Sequence, residues 1–361
     1  MPHATLIVRA ESLIELVVAI FVRAGCTAPI AEQVARSLVD SNLAGHDSHG
    51  VSTIPIYLQS IRAGELRVDA LPIELLRQES LVLIDGRHAF GQVCGAYAMR
   101  LGVDIARARG AAVVALRNSF HLGRIGAYGE QCAREGMVSM HFVNAHYPAN
   151  VAPFGGSEAR LTTNPICFAA PGEPLFIHDT TTSATAAGKI RMAQNRGERV
   201  AEGLIVDADG HSTTDPASLF ADPPGALLPM GGHKGYGIAL ACEILAGALT
   251  GGGPNLPGRR AQSRILNHML TVILSPDSFG EAEVFQEQLS AYFDYVKSAK
   301  RQADCAEILM PGEPEARTRL ARAGGIPIDR GTWNLLRDAA LELGVAASTI
   351  DAAILHDRSI L

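Results

Sequence analysis

Between residues 10 and 45 apolar side chains recur at helical spacing, in ESLIELVVAIFVRAG and PIAEQVARSLVDSNLAG. From about residue 80 the pattern changes to short apolar runs separated by helical stretches. The first pattern puts an apolar stripe on one face of each helix, and that stripe must be covered by another element. Runs such as SLVLIDG, AAVVALRNS and MVSMHFVN have the length of strands, and AYAMRLGVDIARARG and GEQCAREG between them read as covering helices. The fold class is therefore α/β, a mixed sheet with covering helices beside a helical lobe. NHMLTVILSP adds a strand, EGLIVDADGHSTTDP a hairpin turning at Asp-Ala-Asp-Gly, and GGHKGYGIALACEILAGALTGG a helix whose small residues allow close packing. Residues 278–300 and 330–356 read as helices. The expected division is 1–75 for an N-terminal helical lobe and 76–275 for the mixed-sheet part that binds small molecules. Residues 276–361 form a C-terminal helical segment that packs back on the first lobe, because neither end has enough apolar surface to stand alone.

With 361 residues, 47% of them hydrophobic, the chain can bury a large core. Its 37 acidic and 31 basic residues give a formal charge of −6, spread without any block of like charge. That distribution argues against nucleic-acid or membrane partners and favours small molecules. Cys26, Cys94, Cys132, Cys167, Cys242 and Cys305 stand far apart with no C-x-x-C pair, and read as reduced core thiols. Arg9, Glu11 and Glu15 interrupt the apolar N-terminus before it reaches signal or membrane-spanning length, so a cytoplasmic protein is expected.

Four segments gather polar groups of catalytic types among glycines: GHDSHGV (45–51), NSFHLGRIGAYG (118–129), HDTTTSATAAGK (178–189) and GGHKGYG (231–237). His46 and His49 have a spacing that could bind a metal on a helix, but no H-E-x-x-H and no third ligand at a recognisable spacing accompanies them, so no metal is expected. His121 follows a strand end, where α/β sheets commonly place ligands, and histidine suits the transfer of an alcohol proton near neutral pH. A helix-entrance histidine bonded to a nearby carbonyl is the plain alternative. Lys234, after Gly231 and Gly232, could meet a phosphate at a helix N-terminus or simply be solvated. GGHKGYG is not a P-loop, and no G-x-G-x-x-G follows a strand, so a bound dinucleotide would not be held by a Rossmann fingerprint.

Taken in order, the four segments resemble the malate/L-lactate dehydrogenase family that lacks a Rossmann fold. VAPFGG (151–156), TTNPICFAAP (162–171) and MPGEPEARTRLARAGGIPID (310–329) extend the resemblance over nearly the whole chain. LAGHDSHG, AFGQV and HLGRIGAYGEQCA are most similar to bacterial hydroxycarboxylate dehydrogenases. The resemblance implies a largely antiparallel sheet, a homodimer, and NAD or NADP as cofactor, with NAD favoured. It places the catalytic histidine on His121, the Ser-His pair near substrate and nicotinamide on Ser48 and His49, and cofactor contacts on Asp179, Thr180, Thr181 and Lys234. A further cofactor contact, a serine in some relatives, falls near Ala145, where only the backbone could serve. Asn164 joins Ser48 and His49 as a group that would orient the substrate.

The chemistry so implied is hydride exchange between nicotinamide and a 2-hydroxy or 2-oxo acid. Reduction of a cyclic imine on the same scaffold and a noncatalytic or metal-dependent hydrolytic role are the alternatives. One departure bears on the substrate. Where many members carry an arginine two residues after SHGV, this chain reads SHGVST, with Thr53 in its place. Arg124, three residues after His121, is the expected replacement clamp for the substrate carboxylate, if that segment is helical. Arg124 pointing to solvent or to a nearby carbonyl is the alternative.

Overall fold

The structure, a computed structural model, describes residues 5–257 and 265–357. The chain opens with β1 (Thr5–Val8), α1 (Ala10–Arg23), α2 (Ala28–Leu43) and α3 (Ile54–Arg62). Helix α1 buries Leu13, Leu16, Val17, Ile20 and Phe21, and α2 buries Ile30, Val34, Leu38 and Val39, the stripes that the spacing requires.

Next come β2 (Ile73–Gln78), β3 (Leu81–Asp85), α4 (Gly91–Arg109), β4 (Ala111–Ser119), α5 (Gly126–Arg134), β5 (Val138–His146), β6 (Ile166–Ala170) and β7 (Phe176–Thr180). A smaller lobe holds α6 (Ala187–Arg196), β8 (Ile205–Val206), β9 (Ser212–Thr213) and β10 (Ala226–Leu227). The chain closes with α7 (His233–Cys242), β11 (Leu266–Leu274), α8 (Ala282–Lys297), α9 (Glu313–Arg322), β12 (Ile326–Asp329), α10 (Arg330–Glu342), α11 (Ala347–Asp351) and β13 (Ile354–Asp357).

The main sheet has the order β2-β3-β4-β11-β5-β6-β7, and each neighbouring pair is antiparallel except β3 and β4. That one parallel pair needs a crossover, which α4 provides. Strand β11 lies between β4 and β5, with Asn267 opposite both Ser119 and Ala145. The ends of β4 and β5 therefore meet the start of β11 on one edge of the sheet. Helices α4 and α5 cover a core that includes Met99, Leu116, Tyr128, Val143 and Met269.

A second core joins α1, α2 and α3 to α10 and α11, with Trp333 and Leu336 packed against the N-terminal helices. The two ends of the chain also share a small sheet in which β1 is antiparallel to both β12 and β13. These strands are absent from the sequence reading. The helix expected over 330–356 is broken, because Gly344 at φ 74° ends it and the chain returns as α11 and β13. Among the described residues no helix is long and apolar enough to cross a membrane.

One glycine fixes the approach of α4 to the loop after β4. A Cβ on Gly91 would lie 2.1 Å from the His121 carbonyl oxygen, so any side chain there must displace backbone. Gly188, in the first turn of α6, has open space around its missing Cβ. Gly91→Ala is expected to lower unfolding stability by about 1–3 kcal/mol, as overpacking does. Gly188→Ala is expected to raise it by about 0.5–1 kcal/mol through helix propensity. Urea unfolding of the two variants against the parent checks both signs.

Candidate active site

The strand β4 ends by handing the chain to a pinned loop. Asn118 adopts φ 55°, a left-handed conformation that asparagine tolerates better than most residues. Its N–H donates to His268 Nδ1 (3.0 Å), its side-chain amide donates to Asp85 (2.8 Å), and its carbonyl accepts the His88 N–H (2.8 Å). Four residues on, the Leu122 N–H donates to Asn267 Oδ1 at 2.8 Å. His121 thus emerges from a backbone held on both sides, with its carbonyl against Gly91.

The imidazole is held from behind. His121 Nδ1 is 2.7 Å from the Tyr57 hydroxyl, which also accepts a hydrogen bond from Gln92 Nε2 at 2.8 Å. The Tyr57 ring is fully buried and meets Phe120 edge-on at 5.2 Å, so its hydroxyl has little freedom. Burial raises the Tyr57 phenol and keeps it protonated. With Nδ1 occupied, Nε2 is the nitrogen of His121 left for the cavity.

His49 lies at the end of a single 3₁₀ turn, Asp47–His49, that follows α2. Its ring stacks on His121 with centroids 5.5 Å apart and planes inclined by 26°. His49 Nδ1 is buried and meets no hydrogen-bond partner among the described residues. Burial lowers His121 to about 3, helped by the neighbouring His49. Burial likewise lowers His49 to about 4, helped by His46 and Arg124. Both rings are therefore neutral at neutral pH, and the near-neutral titration expected of His121 does not hold for the chain alone.

Both rings open on a cavity of about 840 Å³. One wall is apolar, with Ile125, Val143, Pro165 and Leu266, and the polar edge includes His88, Asn118 and His146. An apolar wall suits a planar ring, and the two imidazoles beside it suit a polar ligand. These features fit a nicotinamide beside a small polar substrate.

The other expected site residues fall in several places. Ala145 lines the cavity, but its N–H donates to Asn164 Oδ1 (3.0 Å) and its carbonyl accepts from Thr162 (2.9 Å). Its backbone is thus engaged within the protein. Asn164 is fully buried and does not reach the cavity. Its amide donates to Glu243 (2.8 Å), in the π-helical turn Glu243–Ala248 after α7, and its oxygen serves Ala145 and Thr162. Substrate orientation by Asn164 is therefore replaced by a structural role. Thr53 is buried behind the wall, donating to the Gly50 carbonyl (2.8 Å) with the Tyr57 hydroxyl beside it, and is not a substrate contact. Ser48 is exposed on the same turn as His49.

Arg124 is also corrected. Residues 120–125 are not helical, and α5 begins only at Gly126, so the assumed spacing to His121 does not apply. The Arg124 guanidinium donates to Glu130 at 2.7 Å and to Asp40 at 3.3 Å, with its side chain 1% exposed. It is committed to two carboxylates away from the cavity. Asp179 ends β7 and accepts the Gly126 N–H at the start of α5 (2.7 Å), and burial raises its carboxyl above the usual range. Thr180 and Thr181 follow it, half-buried, and Lys234 is exposed in the first turn of α7. His46, the other half of the metal-spaced pair, is held by Glu315 at 3.1 Å rather than turned with His49 to a common point.

Tyr57 lies in a helix without a motif around it, and Gln92 lies in AFGQV, a segment whose resemblance assigns that side chain no role. The signal that could have found Gln92 is an amide on the buried first turn of α4, next to Gly91.

The malate/L-lactate dehydrogenase family model matches residues 8–337. The chain is 41% identical to hydroxycarboxylate dehydrogenase B of Escherichia coli K12, over 95% of this chain and 96% of that one. It is 38% identical to an L-lactate dehydrogenase of Cupriavidus necator, over 89% and 93%. Among solved structures, the sulfolactate dehydrogenase of Methanocaldococcus jannaschii superposes with a TM-score of 0.86 at 33% identity, covering 96% of this chain and 99% of that one. With the paired histidines at the sheet edge and a match over nearly its full length, the chain belongs to the malate/L-lactate dehydrogenase family.

Proposed function

We propose that the chain is a nicotinamide-dependent oxidoreductase that interconverts 2-hydroxy acids and 2-oxo acids. The observation that carries this reading is His121, aimed from behind by Tyr57 with Nε2 left for the cavity. The chemistry the cofactor supplies when bound is hydride exchange at the carbinol carbon. Asp179, Thr180, Thr181 and Lys234 are the residues proposed to hold it, with Lys234 near its phosphates. Of the two nicotinamide cofactors, NAD is proposed over NADP.

The protein's own part is proton transfer. In oxidation, neutral His121 accepts the hydroxyl proton at Nε2, while Nδ1–H donates to the Tyr57 oxygen. Tyr57 can then turn its own hydrogen to Thr53, whose hydrogen is already given to Gly50. In reduction a proton taken up at Nε2 is given to the forming alkoxide, while Nδ1–H stays on the ring and goes on donating to the Tyr57 oxygen. Nδ1–H is retained in both directions and only Nε2 gains or loses a proton, so one histidine serves both. His49, stacked on His121 with its Nδ1 unpartnered, is proposed to meet the substrate's oxygen or carboxylate, replacing the clamp looked for at Arg124.

The surroundings support two further readings. All six residues of the edge strand β2 are exposed, Ile73, Leu75 and Leu76 among them, and an apolar edge strand needs cover, as in a homodimer. Five of the six cysteines are buried and none is bridged, which suits a reducing compartment such as the cytoplasm.

His121→Asn is expected to lower turnover of a 2-oxo acid with NADH by about two to four orders of magnitude, with NADH affinity changed only a few-fold. A panel of 2-oxo acids and cyclic imines, each run with NADH and NADPH, tests substrate class and cofactor together. Faster reduction of the imines would refute the 2-oxo acid reading.

The pH dependence follows from the sign of the His121 shift. A base must be unprotonated, and kcat/KM reports the free enzyme. With His121 lowered to about 3, kcat/KM for hydroxy acid oxidation should stay level as pH falls through 6.5. An inflection near 6.5 that disappears in His121→Asn would contradict the burial argument.

Arg124→Ala should act on stability rather than on substrate affinity. Removing one partner from buried Glu130 is expected to cost about 3 kcal/mol in urea unfolding, while KM for the 2-oxo acid moves little. A large rise in KM at unchanged stability would restore the clamp.

A further inference from the structure

Helix α9 lies beside the candidate active site with almost no apolar anchorage. Of its residues only Glu313 is buried, and Leu320 is 78% exposed. Its other face carries Glu315, Arg319 and Arg322, spaced by four and three residues and so aligned along one side. Each of these meets a segment that carries or precedes a site histidine.

Arg322 forks onto the Asp47 carboxylate, with Nη1 2.8 Å from Oδ1 and Nη2 3.1 Å from Oδ2, and Nη1 also donates to the Asn42 carbonyl. Asn42 closes the arrangement from the other side: its amide donates to Asp47 at 2.7 Å and its oxygen accepts the Val51 N–H at 2.9 Å. The turn Asp47–His49 is therefore fixed between α2 and α9. Glu315 holds the preceding residue, His46.

Arg319 does the same for the His121 side. Its Nε and Nη2 donate to the two oxygens of Asp40 at 3.2 and 2.9 Å, and Nη2 lies 3.0 Å from both oxygens of Glu130. Arg124, from the His121 loop, donates to the same two carboxylates. Burial raises the Asp40 carboxyl, but the Arg319 and Arg124 guanidiniums outweigh it and hold Asp40 below the usual range. Apolar contact is non-directional, whereas a forked guanidinium–carboxylate pair fixes orientation. A helix held by such pairs, and hardly by apolar burial, is suited to setting geometry.

We propose that Arg322 and Arg319 are positioning residues: Arg322 orients His49 through Asp47, Arg319 orients the His121 loop through Glu130, and α9 thereby sets the spacing of the two rings. The inference rests on the reading of His49 and His121 as the reacting pair.

Two readouts test it. The first is kcat/KM for 2-oxo acid reduction in a double-mutant cycle of Arg322→Ala with His49→Gln. A residue acting through His49 should lose about tenfold on Arg322→Ala alone and less than about twofold when His49→Gln is already present. Arg322→Lys, which keeps the charge without the fork, should recover part of the loss, and Leu320→Ala, on the opposite face, should change nothing. Equal losses in both backgrounds would overturn the proposal.

The second readout is the set of imidazole resonances in histidine-labelled protein, with His49 and His121 assigned by their own substitutions. Arg322→Ala should shift the His49 signals, Arg319→Lys should shift those of His121, and Leu320→Ala neither. Unmoved His49 and His121 signals would overturn positioning whatever the kinetics. If no 2-oxo acid or imine is reduced at all while the signals shift as expected, the dehydrogenase reading fails and the positioning by α9 stands.

Discussion

The pairing of β11 between β4 and β5 is the interaction on which the rest depends. It joins residues 266–274 to strands that precede them by more than a hundred positions, and so completes the centre of the sheet from a distant part of the chain. The same strand also builds the site. Asn267 Oδ1 takes the Leu122 N–H and His268 Nδ1 takes the Asn118 N–H, so the second and third residues of β11 hold the loop on either side of His121. A backbone leaving a sheet has unpaired donors, and here side chains of the neighbouring strand satisfy two of them.

Polar groups under this edge are well paired where they shape the backbone. Glu243 is buried and accepts from Asn144 (2.7 Å), Asn164 (2.8 Å) and the Asn255 N–H (2.9 Å), tying β5, the segment before β6 and the segment before β11 to the π-helical turn after α7. A buried carboxylate with three donors is tolerable, whereas one with none would be costly. At the cavity the rule is relaxed. His49 Nδ1 and the Gln92 oxygen are buried without a partner among the described residues, beside the ring whose chemistry is proposed.

The ionic cluster of Asp40, Arg124, Glu130 and Arg319 has a different logic. Taking such charges out of water brings little net stability against an apolar packing of the same volume. What it provides is direction, since α2, the His121 loop, α5 and α9 each contribute one member and none can rotate without unpairing another.

The sequence by itself determined the two amphipathic helices at the start, the strands at AAVVALRNS, MVSMHFVN and NHMLTVILSP, and the concentration of polar groups around His49 and His121. Each is a local pattern, set by side-chain period or by glycine beside a functional group. Only the tertiary structure decided where β1, β12 and β13 pair, because four-residue strands carry too little period to be recognised. It also decided the fates of Arg124, Asn164 and Thr53. Arg124 could be read as a clamp from its nearness to His121 in sequence, yet its partners are Glu130, six residues on, and Asp40, eighty-four residues back. Tyr57 and Gln92 show the converse, ordinary helix residues until β4, α3 and α4 bring their hydroxyl and amide behind His121. A charged or hydrogen-bonding side chain is committed by whatever partner the fold puts within about 3 Å, and no local spacing encodes that.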